Sequence, residues 1–295
     1  MPDVKNKKPP KIALLGGDLR LLAAKKRLEE LGYDTALYGF DTYGCGLSLP
    51  LEEALAGAKL LLFPVPVLRN GRLNLPFAEE KLPLPVLIDR LSPYLSSVSA
   101  AFGGVFPAEL EEALAARGVA VCDLCREERF NVLNAIPTAE GAVAIAMNHL
   151  DITLNGASVC VLGYGRIGKA LCRMLTALGA HVTAVSRKDR DMALSELFGC
   201  RACDYETLPA YAGEFDVLFN TVPETVVTES CLAAMKPGAF VIDLASKPGG
   251  VDGDAALRHG VQVITALSLP GKVAPVTAGR IIADCLHRKA REVAE

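Results

Sequence analysis

Short apolar runs recur along the chain, each followed by a stretch with helical spacing. Lys11–Leu15, Thr35–Tyr38, Leu60–Phe63, Ser99–Phe102 and Val119–Cys122 read as strands. Arg20–Leu31, Leu51–Ala56 and Pro107–Arg117 read as helices, the first ended by Gly32. Pro64-Val65-Pro66 closes the third strand, and Leu68–Pro85, rich in Pro, Asn and Gly, reads as a functional loop or a small hairpin. This alternation predicts a parallel sheet with helices on its faces. A longer helix, Ile136–Leu150, follows, with Thr138 as N-cap and small residues on several faces, and is placed between domains. A second series starts at Ala157, with strands Ser158–Leu162, His181–Ser186, Asp216–Asn220, Phe240–Leu244 and Val261–Ile264. Its helices are Arg166–Leu178, Met192–Leu197, about Glu229–Met235, and Asp252–His259. The last helix, Ala278–Glu295, has no strand after it and is expected to return to the first domain and pair with the Thr138–Leu150 helix. The expected fold class is α/β: two Rossmann-like, doubly wound parallel-sheet domains joined by two long helices. Residues 1–135 with the return helix 278–295 would form a substrate domain, and residues 136–277 a cofactor domain.

Composition narrows the function classes. The 295 residues fit two domains, and 51% apolar against 22% charged residues excludes disorder as a description of the whole chain. A net charge of −3, 6% aromatics and no Trp exclude a nucleic-acid partner. Apolar runs such as Ala142–Met147 fall short of the roughly 18 residues a membrane span needs, so no membrane partner is expected. The basic start MPDVKNKKPP precedes an apolar run, Ile12–Leu15, too short for a secretion signal; residues 1–10 read as a flexible tail and the chain as cytoplasmic. The nine cysteines sit mostly in apolar contexts, as at Cys160 and Cys172, which fits reduced core thiols. Cys122/Cys125 and Cys200/Cys203 form two CxxC pairs far apart in the chain, and no metal is expected. His149, His181, His259 and His287 fall at element ends. Ala266–Gly271 holds no His, which argues against a 2-hydroxy acid dehydrogenase with a catalytic histidine there.

The strongest chemical signal is Gly163-Tyr164-Gly165-Arg166-Ile167-Gly168, placed after an apolar strand and opening a helix. That context is what a dinucleotide site requires: Gly163 for the tight turn, Gly165 for approach to the pyrophosphate, Gly168 for helix–strand packing. The next strand ends in Ser186-Arg187-Lys188 with no carboxylate to bond a ribose 2′-OH. Ser186 can bond a 2′-phosphate that Arg187 and Lys188 neutralise, so NADP(H) is expected over NAD(H). Asn220-Thr221-Val222-Pro223 ends another strand and is expected beside the nicotinamide ribose, as is Ala245. Ser246, Lys247, Gly249 and Gly250 are expected toward substrate, although Asp243 fits a turn cap equally and Lys247 a plain surface lysine. Pro270 and Gly271 belong to a stretch, Leu269–Gly279, read as a cleft-lining loop whose Thr277 caps the last helix. Gly16-Gly17-Asp18-Leu19-Arg20 lacks the third glycine of a dinucleotide turn. Either Gly17 and its neighbouring amides hold a substrate carboxylate with Arg20, or this is a simple turn with an exposed Arg. Thr138 and Glu140 fall at the domain junction, Glu140 as proton acceptor or as a favourable charge at a helix start.

Six stretches make the chain resemble the A-subunit family of the dipicolinate synthases of spore-forming bacteria. They are Ile12–Arg20, Asn134–Gly141, Val161–Gly168, Asn220–Pro223, Asp243–Gly250 and Leu269–Pro275. The GGDxR, PTAEG and ASKPGG pieces within them are the specific ones; the longer Pro-rich stretch Leu68–Pro85 departs from the pattern, and no lining is carried over to it. The resemblance implies NADP-dependent oxidation of dihydrodipicolinate, or its hydroxytetrahydro precursor, to pyridine-2,6-dicarboxylate. It also implies a partner, the flavoprotein B-subunit of the synthase, together with an oligomer and the mother-cell cytoplasm during sporulation. On that chemistry Arg20, Lys247 and the turn amides hold the dicarboxylate substrate, and Glu140 or Asp18 takes the proton. Two competing readings are another two-domain NADP-dependent dehydrogenase, of shikimate or methylenetetrahydrofolate type, and a non-catalytic NADP(H)-binding subunit of a flavoprotein complex.

Overall fold

The computed structural model describes residues 10–44 and 46–294, so the tail expected over residues 1–10 lies outside it but for Pro10. The first series comprises β1 (Ile12–Leu15), α1 (Leu19–Glu30), β2 (Thr35–Tyr38), β3 (Ser48–Leu49), α2 (Leu51–Leu55), β4 (Leu60–Leu62), β5 (Leu68–Arg69), β6 (Arg72–Leu73), α3 (Leu84–Leu91), β7 (Ala100–Gly103), α4 (Ala108–Ala115) and β8 (Ala120–Asp123). After α5 (Glu128–His149) come β9 (Ser158–Leu162), α6 (Arg166–Ala177), β10 (His181–Val185), α7 (Asp189–Leu197), β11 (Arg201–Cys203), α8 (Leu208–Tyr211) and β12 (Val217–Asn220). The chain ends through α9 (Glu229–Ala234), β13 (Phe240–Asp243), α10 (Gly253–Arg258), β14 (Gln262–Thr265), α11 (Leu269–Val273) and α12 (Pro275–Ala294).

Two compact units result. One takes in the chain up to Leu133 and again from Ala274; the other is Asn134–Val273. Each holds a six-stranded parallel sheet, in the orders β3-β2-β1-β4-β7-β8 and β11-β10-β9-β12-β13-β14. Both orders reverse direction beside the first strand, between β1 and β4 and between β9 and β12, where doubly wound sheets open toward ligands. Helices cover both faces, so β1, β4, β12 and β13 are buried along their whole length, which is why they read as unbroken apolar runs.

The differences from the sequence reading have physical causes. β3 and β11 are two- and three-residue strands at the sheet margins, too short to show a period. Leu68–Pro85 does hold a hairpin, β5–β6, turned by Asn70 and Gly71 at φ 53° and 71°. The helix after it, α3, is hidden by Pro85, which sits in its first turn, where proline is tolerated. α5 begins at Glu128, not beside Thr138, because Phe130 in its first turn is buried in the first unit's core. Thr138 is therefore interior and caps nothing; its hydroxyl donates to the Asn134 carbonyl at 2.8 Å. Pro137 is interior too, and its missing N–H leaves the Leu133 carbonyl without an intrahelical bond. By length and composition α5 is the one described helix that could cross a membrane; its Ala139, Ala142 and Ala146 are packed into the second unit's core. α7 starts at Asp189, ahead of the expected Met192.

Leu269–Thr277 is not a loop. α11 and α12 occupy it, so Pro270 and Gly271 are helical and Thr277 caps nothing. α12 lies along α1, with Ile282, Ala283, Cys285 and Leu286 in the first unit's core, instead of pairing with the Thr138–Leu150 helix. The two helices meet closely at Gly279, where a Cβ would lie 2.2 Å from the Arg20 carbonyl oxygen and 2.6 Å from the Ala23 Cβ. A Gly-to-Ala change inside an open helix stabilises by roughly 1 kcal/mol. Gly279→Ala is expected to do the reverse and cost about 1–3 kcal/mol by overpacking. Urea unfolding checks this; a gain in stability would show that the helices do not meet there.

Candidate functional site

The turn between β9 and α6 separates the three glycines by what each one touches. Gly163 has φ +91°, and a Cβ on it would lie 2.5 Å from Thr221 Oγ1. A Cβ on Gly168 would lie 1.8 Å from the Gly163 carbonyl oxygen. Gly165 is exposed, stands as N-cap of α6, and would place its Cβ in open space. Two glycines are thus demanded by the turn itself, while the third keeps a face clear for something outside the protein. With the first amides of a twelve-residue helix at that face, the turn fits the pyrophosphate of a dinucleotide. Arg166 is exposed at the helix start, and Ile167 packs against the core. Tyr164 departs from expectation: its ring is buried in the core under Lys169 Nζ, 5.5 Å from the centroid, and burial pushes its phenol up to about 12. Only its backbone faces the turn.

At the carboxyl end of β10 the structure puts Ser186, Arg187 and Lys188 in a row. Ser186 is buried, and its Oγ accepts from the Lys188 N–H at 3.2 Å, which leaves the hydroxyl proton to donate. Arg187 is exposed and pairs with Glu224 at 3.4 Å. Arg187 also borders a cavity of about 710 Å³ shared with Met192, Tyr205, Thr225, Val226 and Thr228. Burial pushes the Tyr205 phenol up to about 12. Tyr205 and the 224–228 stretch escaped the sequence reading. β11 is what sets Tyr205 beside β10, and three residues carry no readable strand signal.

Asn220 and Asp243 close the neighbouring strand ends. Asn220 is fully buried; its Nδ2 donates to Asp243 Oδ1 at 2.8 Å and to the Val222 carbonyl at 3.0 Å, and its Oδ1 accepts from Val222 N at 3.1 Å. Its side chain shapes the loop, with both amide donor bonds spent inside the protein. Thr221 Oγ1 likewise donates to the Leu162 carbonyl at 2.8 Å, Val222 packs over Gly163, and Pro223 is exposed. Asp243 accepts from Ala245 N at 3.1 Å and Gly250 N at 3.2 Å, which makes it the cap of this turn. Gly250 is required because a Cβ there would lie 2.1 Å from Asn220 Nδ2. Gly249 N donates to the Ser246 carbonyl at 3.0 Å. The amides of Gly249 and Gly250, expected to hold a carboxylate, are therefore engaged internally. Ser246 and Lys247 are exposed at the tip, and among the described residues Lys247 makes no ion pair. Glu140 is exposed on α5; the next residue, Gly141, seats α11, with its would-be Cβ 3.0 Å from the Leu269 Cβ, and Pro270 is buried.

In the first unit the Gly16–Arg20 turn is also closed on itself. Gly16 N donates to the Tyr38 carbonyl and Gly17 N to the Asn74 carbonyl, both at 2.8 Å. Asp18 caps α1, accepting from Arg20 N at 3.0 Å and from Arg20 Nε and Nη2 at 2.8 Å each. Arg20 Nη2 also donates to the Val65 carbonyl, and the residue is 6% exposed. The surface arginine and the free amides expected here are replaced by a buried, neutralised pair. Cys200 turns toward Cys172, not toward Cys203: the Cys172 thiol donates to it, holding Cys200 near 7 and Cys172 well above the usual thiol range. Among the described residues no group of three or more metal-ligating side chains gathers.

Comparison with known proteins decides the family. The dipicolinate synthase A-subunit of Bacillus subtilis (strain 168) is 31% identical over 294 residues, 96% of each chain. The chain belongs to the A-subunit family of dipicolinate synthases. The family model of the N-terminal domain of the dipicolinate synthase A-subunit matches residues 11–125. That of the D-isomer specific 2-hydroxyacid dehydrogenase NAD binding domain matches residues 138–258. The crystal structure of the dipicolinate synthase A-subunit from Bacillus halodurans has a TM-score of 0.86 at 31% identity, covering 98% of this chain and 100% of that one. The crystal structure of the Bacillus subtilis protein gives 0.84 at 30%, covering 98% of both. The chain is thus an oxidoreductase of dehydrogenase type with a nicotinamide-cofactor domain. The dehydrogenase match ends before Ala266–Gly271, the stretch without histidine.

The glycine geometry separates folding from binding. Gly168→Ala is expected to cost about 1–3 kcal/mol of stability, since the atom it meets is backbone. Gly165→Ala should leave the melting temperature unchanged yet weaken nicotinamide nucleotide binding about tenfold or more. Calorimetry on both variants checks this; equal nucleotide affinity in Gly165→Ala and the parent would refute the placement.

Proposed function

We propose that the chain oxidises dihydrodipicolinate, or its 4-hydroxytetrahydro precursor, to pyridine-2,6-dicarboxylate with NADP+ as hydride acceptor. The observation that carries this reading is the likeness to the Bacillus subtilis dipicolinate synthase chain, which extends along 96% of both proteins. The backbone of Gly163–Gly168 and the start of α6 would hold the pyrophosphate. Ser186, Arg187 and Lys188 would hold the 2′-phosphate, at a strand end with no carboxylate to favour a free hydroxyl. Thr221, Val222, Pro223 and Ala245, at the ends of β12 and β13, are assigned to the nicotinamide half. When bound, the oxidised nicotinamide supplies the hydride acceptor.

The substrate loses a hydride and a proton as its ring becomes aromatic, and the chain must receive the proton and orient two carboxylates. Glu140, exposed on α5, is the assigned proton acceptor. Asp18 is the weaker candidate, because three donors from Arg20 already converge on it. Lys247 offers an unpaired ammonium to one carboxylate, and Thr138, whose hydroxyl proton points to Asn134, can only accept. Ser246, Pro270 and Gly271 would border the substrate without charge. For the hydroxytetrahydro form, water also leaves, with a protonated side chain supplying its proton. The flavoprotein B-subunit of the synthase is the proposed partner, in an oligomer of the mother-cell cytoplasm.

Purified chain given NADP+ and freshly generated substrate is expected to produce NADPH, read at its near-ultraviolet absorbance. Turnover only when the flavoprotein partner is added would support the non-catalytic reading instead. Arg187→Ala should weaken NADPH binding about tenfold, the size of one charge-assisted hydrogen bond, with NADH unaffected. Equal loss for both nucleotides would reject the 2′-phosphate assignment. Lys247→Ala with full turnover and unchanged KM would remove Lys247 from the mechanism.

A further inference from the structure

A dicarboxylate needs cations that the fold has not already neutralised. Arg20 faces Asp18, and the amides of Gly16, Gly17, Gly249 and Gly250 donate internally. Elsewhere in the first unit Arg27, Arg90 and Arg126 each meet carboxylates. The hairpin β5–β6 is different. Around it lies a cavity of about 490 Å³ bordered by Arg69, Arg72 and Lys81, with Asn74 and the buried Leu73 and Leu75. No carboxylate borders it. Among the described residues none of the three cations makes an ion pair, and Lys81 Nζ donates only to the Ala78 carbonyl at 3.2 Å. All three cations are exposed and solvated, and a dianion entering the hollow would meet them together.

The position is equally specific. The hairpin follows β4, whose neighbour β1 marks the reversal of the first sheet, so the hollow stands at the carboxyl edge where such sheets take ligands. It is also clamped. Asn74 accepts from Gly17 N at 2.8 Å and donates to the Val67 carbonyl at 2.9 Å. A Cβ on Gly16 would lie 2.2 Å from Leu75 Cδ2, so Gly16 is what lets the hairpin seat on the turn. We infer that this hollow, in place of Lys247, binds the substrate's two carboxylates on Arg69, Arg72 and Lys81, with its flat ring against Leu73 and Leu75. The dianion site stands on this geometry; that the dianion is the oxidised or oxidisable pyridine dicarboxylate rests on the proposed function.

Calorimetry on the full chain in metal-free buffer tests it, with pyridine-2,6-dicarboxylate, pyridine-2-carboxylate and inorganic phosphate as probes. The diacid should bind at least tenfold tighter than the other two. Arg69→Gln and Arg72→Ala should each weaken it about tenfold, with NADPH affinity and melting temperature unchanged. Undiminished diacid binding in the double variant overturns the site, as does phosphate binding as tightly as the diacid. Turnover at unchanged KM in the double variant also overturns it while leaving the proposed reaction standing. Loss of diacid binding in the variants, in a chain that never reduces NADP+, supports the site and rejects the reaction.

Discussion

Buried carboxylates close the carboxyl edges of both sheets. Parallel strands all end on one edge, and the loops there expose backbone N–H groups that no hairpin partner satisfies. Asp123, the last residue of β8, accepts from Val105 N, Phe106 N and Cys125 N at 3.1, 3.2 and 2.8 Å. Asp243, the last residue of β13, accepts from Asn220 Nδ2, Ala245 N and Gly250 N. Both are under 10% exposed, so a missing donor would leave part of a buried charge unsolvated. Each carboxylate ties its own strand's loop to the end of the neighbouring strand, and so fixes where the exposed groups of that edge stand.

The same economy of internal bonds sorts the polar groups by availability. Arg20, Asn220, Thr221 and four glycine amides point inward and hold the turns together. Gly165, Lys247 and the cations around the hairpin are what remain for ligands, and Arg187 joins them only by giving up Glu224. A residue type at a strand end says little until its bonds are known, because the best anion binders are also the best loop closers.

The glycine fingerprint and the two-sheet architecture were legible because both follow from backbone demands: Gly163 and Gly168 admit no side chain, and strands covered on both faces must be apolar throughout. The margins were not. β3 and β11 are shorter than any periodicity, and without β11 the Tyr205 side of the cavity beside Arg187 has no address in the sequence. Thr138 was misleading because a threonine ahead of a helical run more often caps the helix than sits within it, and burial of Phe130 in the first unit's core starts α5 at Glu128 instead. Asn70-Gly71 announced a turn, but gathering Arg69, Arg72 and Lys81 depends on the hairpin folding down on Gly16 and Gly17, a contact between residues far apart in the chain.

The first unit is discontinuous: it uses the opening stretch of the chain and its final helix, with the second unit spliced between them. During synthesis the second unit, being unbroken, can complete itself as soon as Val273 clears the ribosome. The first must wait, with the groove on α1 that receives Gly279 still bare, until α12 has emerged. The half that was made earlier is therefore the later to mature, and a nascent chain stalled before α12 would leave the surface of α1 at Arg20, Ala23 and Ala24 open to chaperones or to aggregation.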